Sequence, residues 1–326
     1  MIDDARLTRQ LVESRRFHNH PISIVDVGAS GGIDAHWDVF GDQLIAVGFD
    51  PLLSEVSRLN REARIGVRYV AAWVTSPSPQ ESDTAASTDF FERTSAVRAS
   101  EIASLDYVRT YYNAGAEISF SDTRIVLDDY LDGTHVDFLK VDTDGHDYEV
   151  LLGSDRMLSS GRVLGIAVEI QFQGAVSSTA NLFNNIDRFL RGNGFSLFDV
   201  EVHRYSRASL PAEFVYEIPA QTVTGQISWG DAIYFRDLGD PRYEDMWRCE
   251  ITAEDVLKQA CFFELFGLPD CAAELILKYP DAFGDDTERT ALLDTLASES
   301  SGVATTYCAL LQRFEQDSLH RFKPRD

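Results

Sequence analysis

Asp142, Asp144, His146 and Asp147 fall within six consecutive positions, with Gly145 among them, so one short turn gathers three carboxylates and an imidazole. Carboxylates accept hydrogen bonds and hold hard cations, and a histidine changes charge near neutrality. His146 is therefore suited to exchange a proton with a bound group; a capping or solvent-facing histidine is the plainer reading. Glu169 lies one residue from the end of another apolar run, and Asp142 with Glu169 offers the oxygen ligands that Mg²⁺ prefers. Both carboxylates could equally do no more than accept hydrogen bonds.

A glycine-rich stretch offers a second chemistry. Asp26-Val27-Gly28-Ala29-Ser30-Gly31-Gly32 follows a β-branched run and precedes helix-like spacing around His36 to Phe40. A strand, a glycine turn and a helix let backbone N–H groups approach a nucleotide-like ligand closely. Two residues separate Gly28 from Gly31, so the spacing is not the GxGxxG of dinucleotide sites. With Asp26 two places ahead of the first glycine, the form D-x-G-x-x-x-G points instead to S-adenosylmethionine, which brings no pyrophosphate to a helix N-terminus. Asp50 ends the next apolar run 22 residues after Gly28, close to the roughly 20 expected for a carboxylate that accepts hydrogen bonds from ribose hydroxyls. The candidate cofactor set is Asp26, Gly28, Ala29, Ser30, Gly31, Asp50, Pro51, Ala72 and Asp142. Ala72 is small enough for an adenine ring to lie against the backbone; a plain tight turn and close packing are the alternatives.

These groups need elements to carry them. Phe138 to Val141 reads as a strand covered on both faces, and the helical pattern of Tyr148 to Leu152 starts beside Asp147, a carboxylate placed to cap free N–H groups. Ile22 to Val27, Leu44 to Asp50, Val67 to Val74, Val163 to Ile170, Phe195 to Val202 and Ala232 to Phe235 read as further strands, with a helix over Leu182 to Leu190 and a hairpin over Ile118 to Leu127. Strand and helix alternate, which makes an α/β domain with a mainly parallel sheet, whose ligands sit at the carboxyl ends of the strands. Thr75 to Ser87 is rich in Ser, Pro and acids and reads as an insertion or lid. Arg93 to Ser104 is polar and helical at best, and Tyr107 to Tyr112 is aromatic-rich. Past Asp237 the pattern turns helical, starting at Thr252-Ala253-Glu254-Asp255. The chain thus divides into an N-terminal helix over 1–21, an α/β domain over 22–237 and a helical extension over 238–326, the last a packing cap or a surface for forming a homo-oligomer, with a substrate-side lid as the functional alternative.

The bulk properties narrow the partners. With 326 residues and 44% hydrophobic content the chain can bury a full core. A net charge of -24 opposes a nucleic-acid or anionic-membrane partner at long range. The charged opening MIDDARLTRQLVESRRF resembles no signal peptide, and no run reaches the roughly 18 apolar residues of a membrane span, so cytoplasm is the expected location. Cys249, Cys261, Cys271 and Cys308 form no CxxC pair and read as buried reduced thiols.

IVDVGASGGID, VGFDPLLSEVSRLN, TRIVLDDYLDGTHVDFLKVDTDGHDYEVLLGS and VLGIAVEI, in that order, resemble the FkbM family of S-adenosylmethionine-dependent O-methyltransferases over roughly Ile22 to Phe235. The turn is the most specific part: Lys140, Asp142, Asp144, Gly145, Leu152 and Gly153 match a Lys-x-Asp-x-acid-Gly turn running into a helix that ends in Leu-x-Gly. Asp144 stands where the family most often has Glu, His146 where a small residue is frequent, and the insertion looks long.

The resemblance implies a Rossmann-like class I methyltransferase fold, a mostly parallel seven-stranded sheet with helices on both faces plus the helical appendage. It implies methyl transfer from S-adenosylmethionine to a hydroxyl of a sugar, glycan, glycolipid or secondary metabolite. Such a transfer must hold donor and acceptor together and remove a proton. His146 is then the first candidate base, with Asp142 and Glu169 as further catalytic candidates or as ligands of Mg²⁺. A non-catalytic binding module of the same fold and a dinucleotide-dependent oxidoreductase are the rivals; the glycine spacing and the lack of an evident Tyr-x-x-x-Lys disfavour the second.

Overall fold

The computed structural model describes residues 5–77, 119–205, 222–244 and 250–316. Most of the expected insertion, Arg93 to Ser104, Tyr107 to Tyr112 and Cys249 lie outside the described residues. Contacts divide the chain into two compact units, one of residues 23–33 and 45–236, the other of residues 1–22, 34–44 and 237–326.

The first unit is built on a sheet. Its strands are β1 (Ile22–Val27), β2 (Leu44–Asp50), β3 (Val67–Ala71), β6 (Phe138–Val141), β7 (Gly165–Gln171), β8 (Ser196–Tyr205) and β9 (Gln226–Phe235), with short β4 (Trp73–Val74) and β5 (Arg124–Ile125) forming a separate pair. The seven-stranded order is β3-β2-β1-β6-β7-β9-β8. β2 with β3, β1 with β6, and β6 with β7 are parallel; β9 is antiparallel to both β7 and β8. The sheet is largely parallel, with β9 running against its two neighbours. The parallel strands are apolar because both faces are covered: Val25, Leu139 and Ile166 share one core cluster with Leu131, Leu151, Leu158, Ile186 and Leu190 from the intervening helices. Those helices are α2 (Leu53–Glu62), α3 (Leu127–Tyr130), α4 (Asp147–Leu152), α5 (Asp155–Ser159) and α6 (Phe183–Gly192).

Three local expectations change. The strand expected through Val74 breaks at Ala72, whose N–H donates to the Asp50 carbonyl. No hairpin forms over Ile118 to Leu127 among the described residues; that stretch pairs with distant chain instead, as the Leu53 N–H donates to the Ser119 carbonyl and the Trp73 N–H to the Thr123 carbonyl. The glycine turn leads into a 3₁₀ segment, Ala35–Gln43, broken at Gly41 (φ 53°), rather than an α-helix.

The second unit is helical. α1 (Arg6–Glu13) precedes β1, and α7 (Ala253–Leu265), α8 (Pro269–Lys278), α9 (Asp286–Ser301) and α10 (Tyr307–Gln316) end the chain. Thr252 and Asp255 cap α7 reciprocally, as their spacing predicts. The Glu264 carboxylate of α7 accepts the Leu7 and Thr8 N–H groups at 2.8 and 2.7 Å and the Thr8 hydroxyl at 2.6 Å, so it caps α1 from another part of the sequence. Trp37 of the 3₁₀ segment meets Phe262 edge to face, with centroids 5.6 Å apart. The N-terminal helix, residues 34–44 and the C-terminal helices therefore pack as one body. Cys261 is buried and Cys271 half-buried, whereas Cys308 is exposed, contrary to the reading of all four as buried. No helix among the described residues is long and apolar enough to cross a membrane.

Candidate functional site

The site forms where the carboxyl ends of β1, β2 and β6 meet. Gly28 follows β1 with φ 88°, and a Cβ there would lie 1.7 Å from the Asp142 carbonyl oxygen, so only glycine lets the two strand ends approach. The Asp142 N–H donates to the Val27 carbonyl, and the Gly28 and Ala29 N–H groups donate to the Phe49 carbonyl at 2.9 and 3.0 Å. Gly28, Ala29, Asp142 and the tip of β2 are thus tied together directly.

The glycine turn spends its amides inside the chain. Besides the two bonds to Phe49, the Gly32 N–H donates to the Ala29 carbonyl and the Gly31 N–H to Glu55 Oε1 at 3.0 Å. Amides expected to approach a ligand hold the turn rigid instead. The Ser30 hydroxyl is different: its oxygen is buried without a hydrogen-bond partner among the described residues. Arg58 grips Glu55 through Nη2 at 2.6 Å and Nε at 2.9 Å, which pulls the Glu55 pKa down. Sequence reading missed this clamp; its only signal was an acid and an arginine one helical turn apart.

Asp50 is 7% exposed and accepts the Leu52 N–H at 2.7 Å. Burial raises its pKa, and the charges of Glu55 and Asp144 add to the rise. Asp144 thus acts on Asp50. Pro51 contributes its carbonyl to the Ser121 N–H, and Ala72 is buried beside the end of β2. Asp26 is buried on β1 opposite Lys140 of β6, whose Nζ lies 3.8 Å from Asp26 Oδ1 and 3.7 Å from Asp142 Oδ2. One ammonium therefore serves both acids.

The turn after β6 is held by Asp147. Its carboxylate accepts the Thr143 N–H at 2.8 Å, the Thr143 hydroxyl at 2.9 Å, the Gly145 N–H at 3.3 Å and Asn181 Nδ2 at 3.0 Å. It ties down the turn rather than capping the helix that follows. Burial pushes its pKa up to about 6 against the Thr143 hydrogen bonds. Asp144 takes φ 52°, a left-handed angle that asparagine and aspartate tolerate better than most residues and that strains the backbone at functional turns.

His146 pairs with a carboxylate of the helix that follows it. Its Nδ1 lies 3.7 Å from Glu149 Oε2, and Glu149 in turn accepts the Thr75 hydroxyl. Pairing with Glu149 raises the His146 pKa against the opposing effect of burial. Glu169 is 9% exposed on β7, and its pKa stands well above the usual range, first from burial and then from the charges of Asp147, Asp142, Asp144 and Asp231. Asp142, Asp144 and Asp147 are therefore all within electrostatic reach of Glu169. Among the described residues no group of three or more His, Cys, Asp or Glu side chains is arranged to hold a metal ion.

The model of the methyltransferase FkbM domain matches residues 38–197. No curated protein matches the chain. Among solved structures, a methyltransferase FkbM from Methylobacillus flagellatus KT is 12% identical with a TM-score of 0.36, covering 66% of this chain and 43% of that one. The chain spans less than half of that protein. A 1,6-didemethyltoxoflavin-N1-methyltransferase from Burkholderia thailandensis, solved with 1,6-didemethyltoxoflavin and S-adenosylhomocysteine, is 11% identical with a TM-score of 0.31, covering 72% of this chain and 78% of that one. The magnesium protoporphyrin IX methyltransferase of Synechocystis PCC 6803, solved with S-adenosylmethionine, is 11% identical with a TM-score of 0.29, covering 72% and 85%.

Proposed function

We propose that the chain, whose residues 38–197 match the methyltransferase FkbM domain, is an FkbM-family enzyme that transfers a methyl group from S-adenosylmethionine to a hydroxyl oxygen of a sugar, glycan, glycolipid or secondary metabolite. The observation that supports this reading is the meeting of Gly28, Asp50 and Asp142 at one sheet edge, with the buried Ser30 hydroxyl there left without a partner among the described residues. These residues suit the donor chemically. Asp50 accepts hydrogen bonds from ribose hydroxyls, Ala72 leaves room for a flat base, and Asp26 and Asp142 favour a cationic ligand. When bound, the cofactor supplies an electrophilic methyl group on a sulfonium.

The chain's own part is to hold the acceptor in line, exclude water and take a proton. His146 is not the first choice for the last task, because its ring is paired with Glu149. The expected order of ligands is S-adenosylmethionine binding and no measurable NAD binding by calorimetry, followed by labelled-methyl transfer to a panel of glycans and hydroxylated metabolites. NAD binding in place of S-adenosylmethionine would sink the reading in favour of an oxidoreductase. Tight S-adenosylmethionine binding without transfer to any hydroxyl would favour a non-catalytic module.

A further inference from the structure

One more part of the sheet edge faces the acids of the turn. In the antiparallel pairing of β7 with β9, Glu169 stands opposite Asp231, and β8 sets Glu201 opposite the same Asp231. Side chains directly opposite on neighbouring strands share a face. His203 Nε2 lies 3.3 Å from Asp231 Oδ2, and the His203 ring stacks on Trp229 with centroids 3.9 Å apart. His203 is 8% exposed, so Trp229 and the β8–β9 ladder fix its ring. Glu169 Oε2 is buried without a hydrogen-bond partner among the described residues. A buried polar atom left this way destabilises the fold, and a ligand that donates to it would offset that cost.

We propose that Glu169 and Asp231 form a two-carboxyl wall that binds the acceptor hydroxyl and receives its proton during methyl transfer, with His203 positioning Asp231. The proposal rests on the methyltransferase reading above. In the step, a lone pair of the acceptor oxygen forms the new O–C bond while the C–S bond breaks and its electron pair stays on sulfur. The hydroxyl proton passes to the Asp231 carboxylate and from there to solvent. Burial first, and then the charges of Asp147, Asp142 and Asp144 from the turn and α4 and of Asp231 from β9, raise the Glu169 pKa and favour its protonated form. Asp231 also faces His203 and Glu201 from β8, and burial lifts its pKa toward the working pH of a base.

The test uses the full chain with carbon-13-labelled carboxyl groups, titrated by NMR, alongside the Asp231→Asn and Glu169→Gln variants. Glu169 should titrate far above an ordinary glutamate, and Asp231→Asn should shift it downward. An unmoved Glu169 titration overturns the proposal, whatever the acceptor panel returns. Circular dichroism and S-adenosylhomocysteine calorimetry on each variant establish that it folds and binds as the parent does. With a methylated acceptor in hand, Asp231→Asn should lower kcat by about 100-fold. His203→Gln should shift the acid limb of the pH–rate profile while leaving S-adenosylhomocysteine affinity unchanged, which a merely structural histidine would not do. Wild-type rate and pH profile in Asp231→Asn overturn the proposal. A parent chain that binds no S-adenosylhomocysteine instead overturns the methyltransferase reading, and the proposal falls with it even where the two carboxyls titrate together.

Discussion

Glu264 in the helical unit and Glu169 at the sheet edge are both buried glutamates, and they are satisfied in opposite ways. Glu264 meets three donors, the Leu7 and Thr8 amides and the Thr8 hydroxyl, and through them fastens α1. Glu169 keeps an oxygen without a donor among the described residues and sits among other acids. A buried carboxylate surrounded by donors contributes to folding; one surrounded by like charge is retained at a cost in stability. The difference separates an acid that holds structure from an acid that awaits a ligand.

The largest expected effect comes from breaking the satisfied member. Glu264→Ala should cost about 3 kcal/mol in urea unfolding, because it strands two amides and a hydroxyl, with S-adenosylhomocysteine affinity unchanged. A neutral result would mean that the contrast with Glu169 is not energetic. Glu169→Gln should do the reverse, leaving stability within about 1 kcal/mol of the parent or raising it, since it removes a carboxyl that its neighbours repel. A loss as large as that of Glu264→Ala would show that Glu169 is structural.

Asp147 lies between the two cases, buried yet bonded to Thr143, Gly145 and Asn181. Folded, it keeps its proton up to about pH 6, whereas an unfolded aspartate releases it near 3.9. The folded chain binds the extra proton in that window, so stability should fall as pH rises through it. Asp147→Asn should flatten this part of the stability-versus-pH curve, and an unchanged slope would assign it to other groups. The smallest effect is expected of His146→Ala, a change in turnover of no more than about threefold, since the ring is tied to Glu149. A far larger drop would return His146 to the role of base.

How far the sequence reveals all this depends on separation along the chain. β1 and β2 match their expected limits, because each is a single apolar run ending in a turn. Gly28 and Asp142 were legible as separate strand ends, and the spacing of Gly28 and Asp50 set the expectation of a shared ligand. Asp231 and His203 were not singled out. They sit 28 residues apart and meet only through an antiparallel register, with a β-bulge between His203 and Arg204 that no periodicity announces. Residues 34–44 misled for another reason: the helix-like spacing was real, but Gly41 (φ 53°) breaks it and Trp37 packs on Phe262 far along the chain.

Calorimetric titration of the chain with S-adenosylhomocysteine, repeated on Gly28→Ala and Asp50→Ala, tests the shared sheet-edge site most directly. The account predicts one ligand per chain, with binding lost in Gly28→Ala, where a Cβ would collide with the Asp142 carbonyl, and weakened by about tenfold in Asp50→Ala. Absence of heat with the parent chain, or equal affinity in all three proteins, would contradict it.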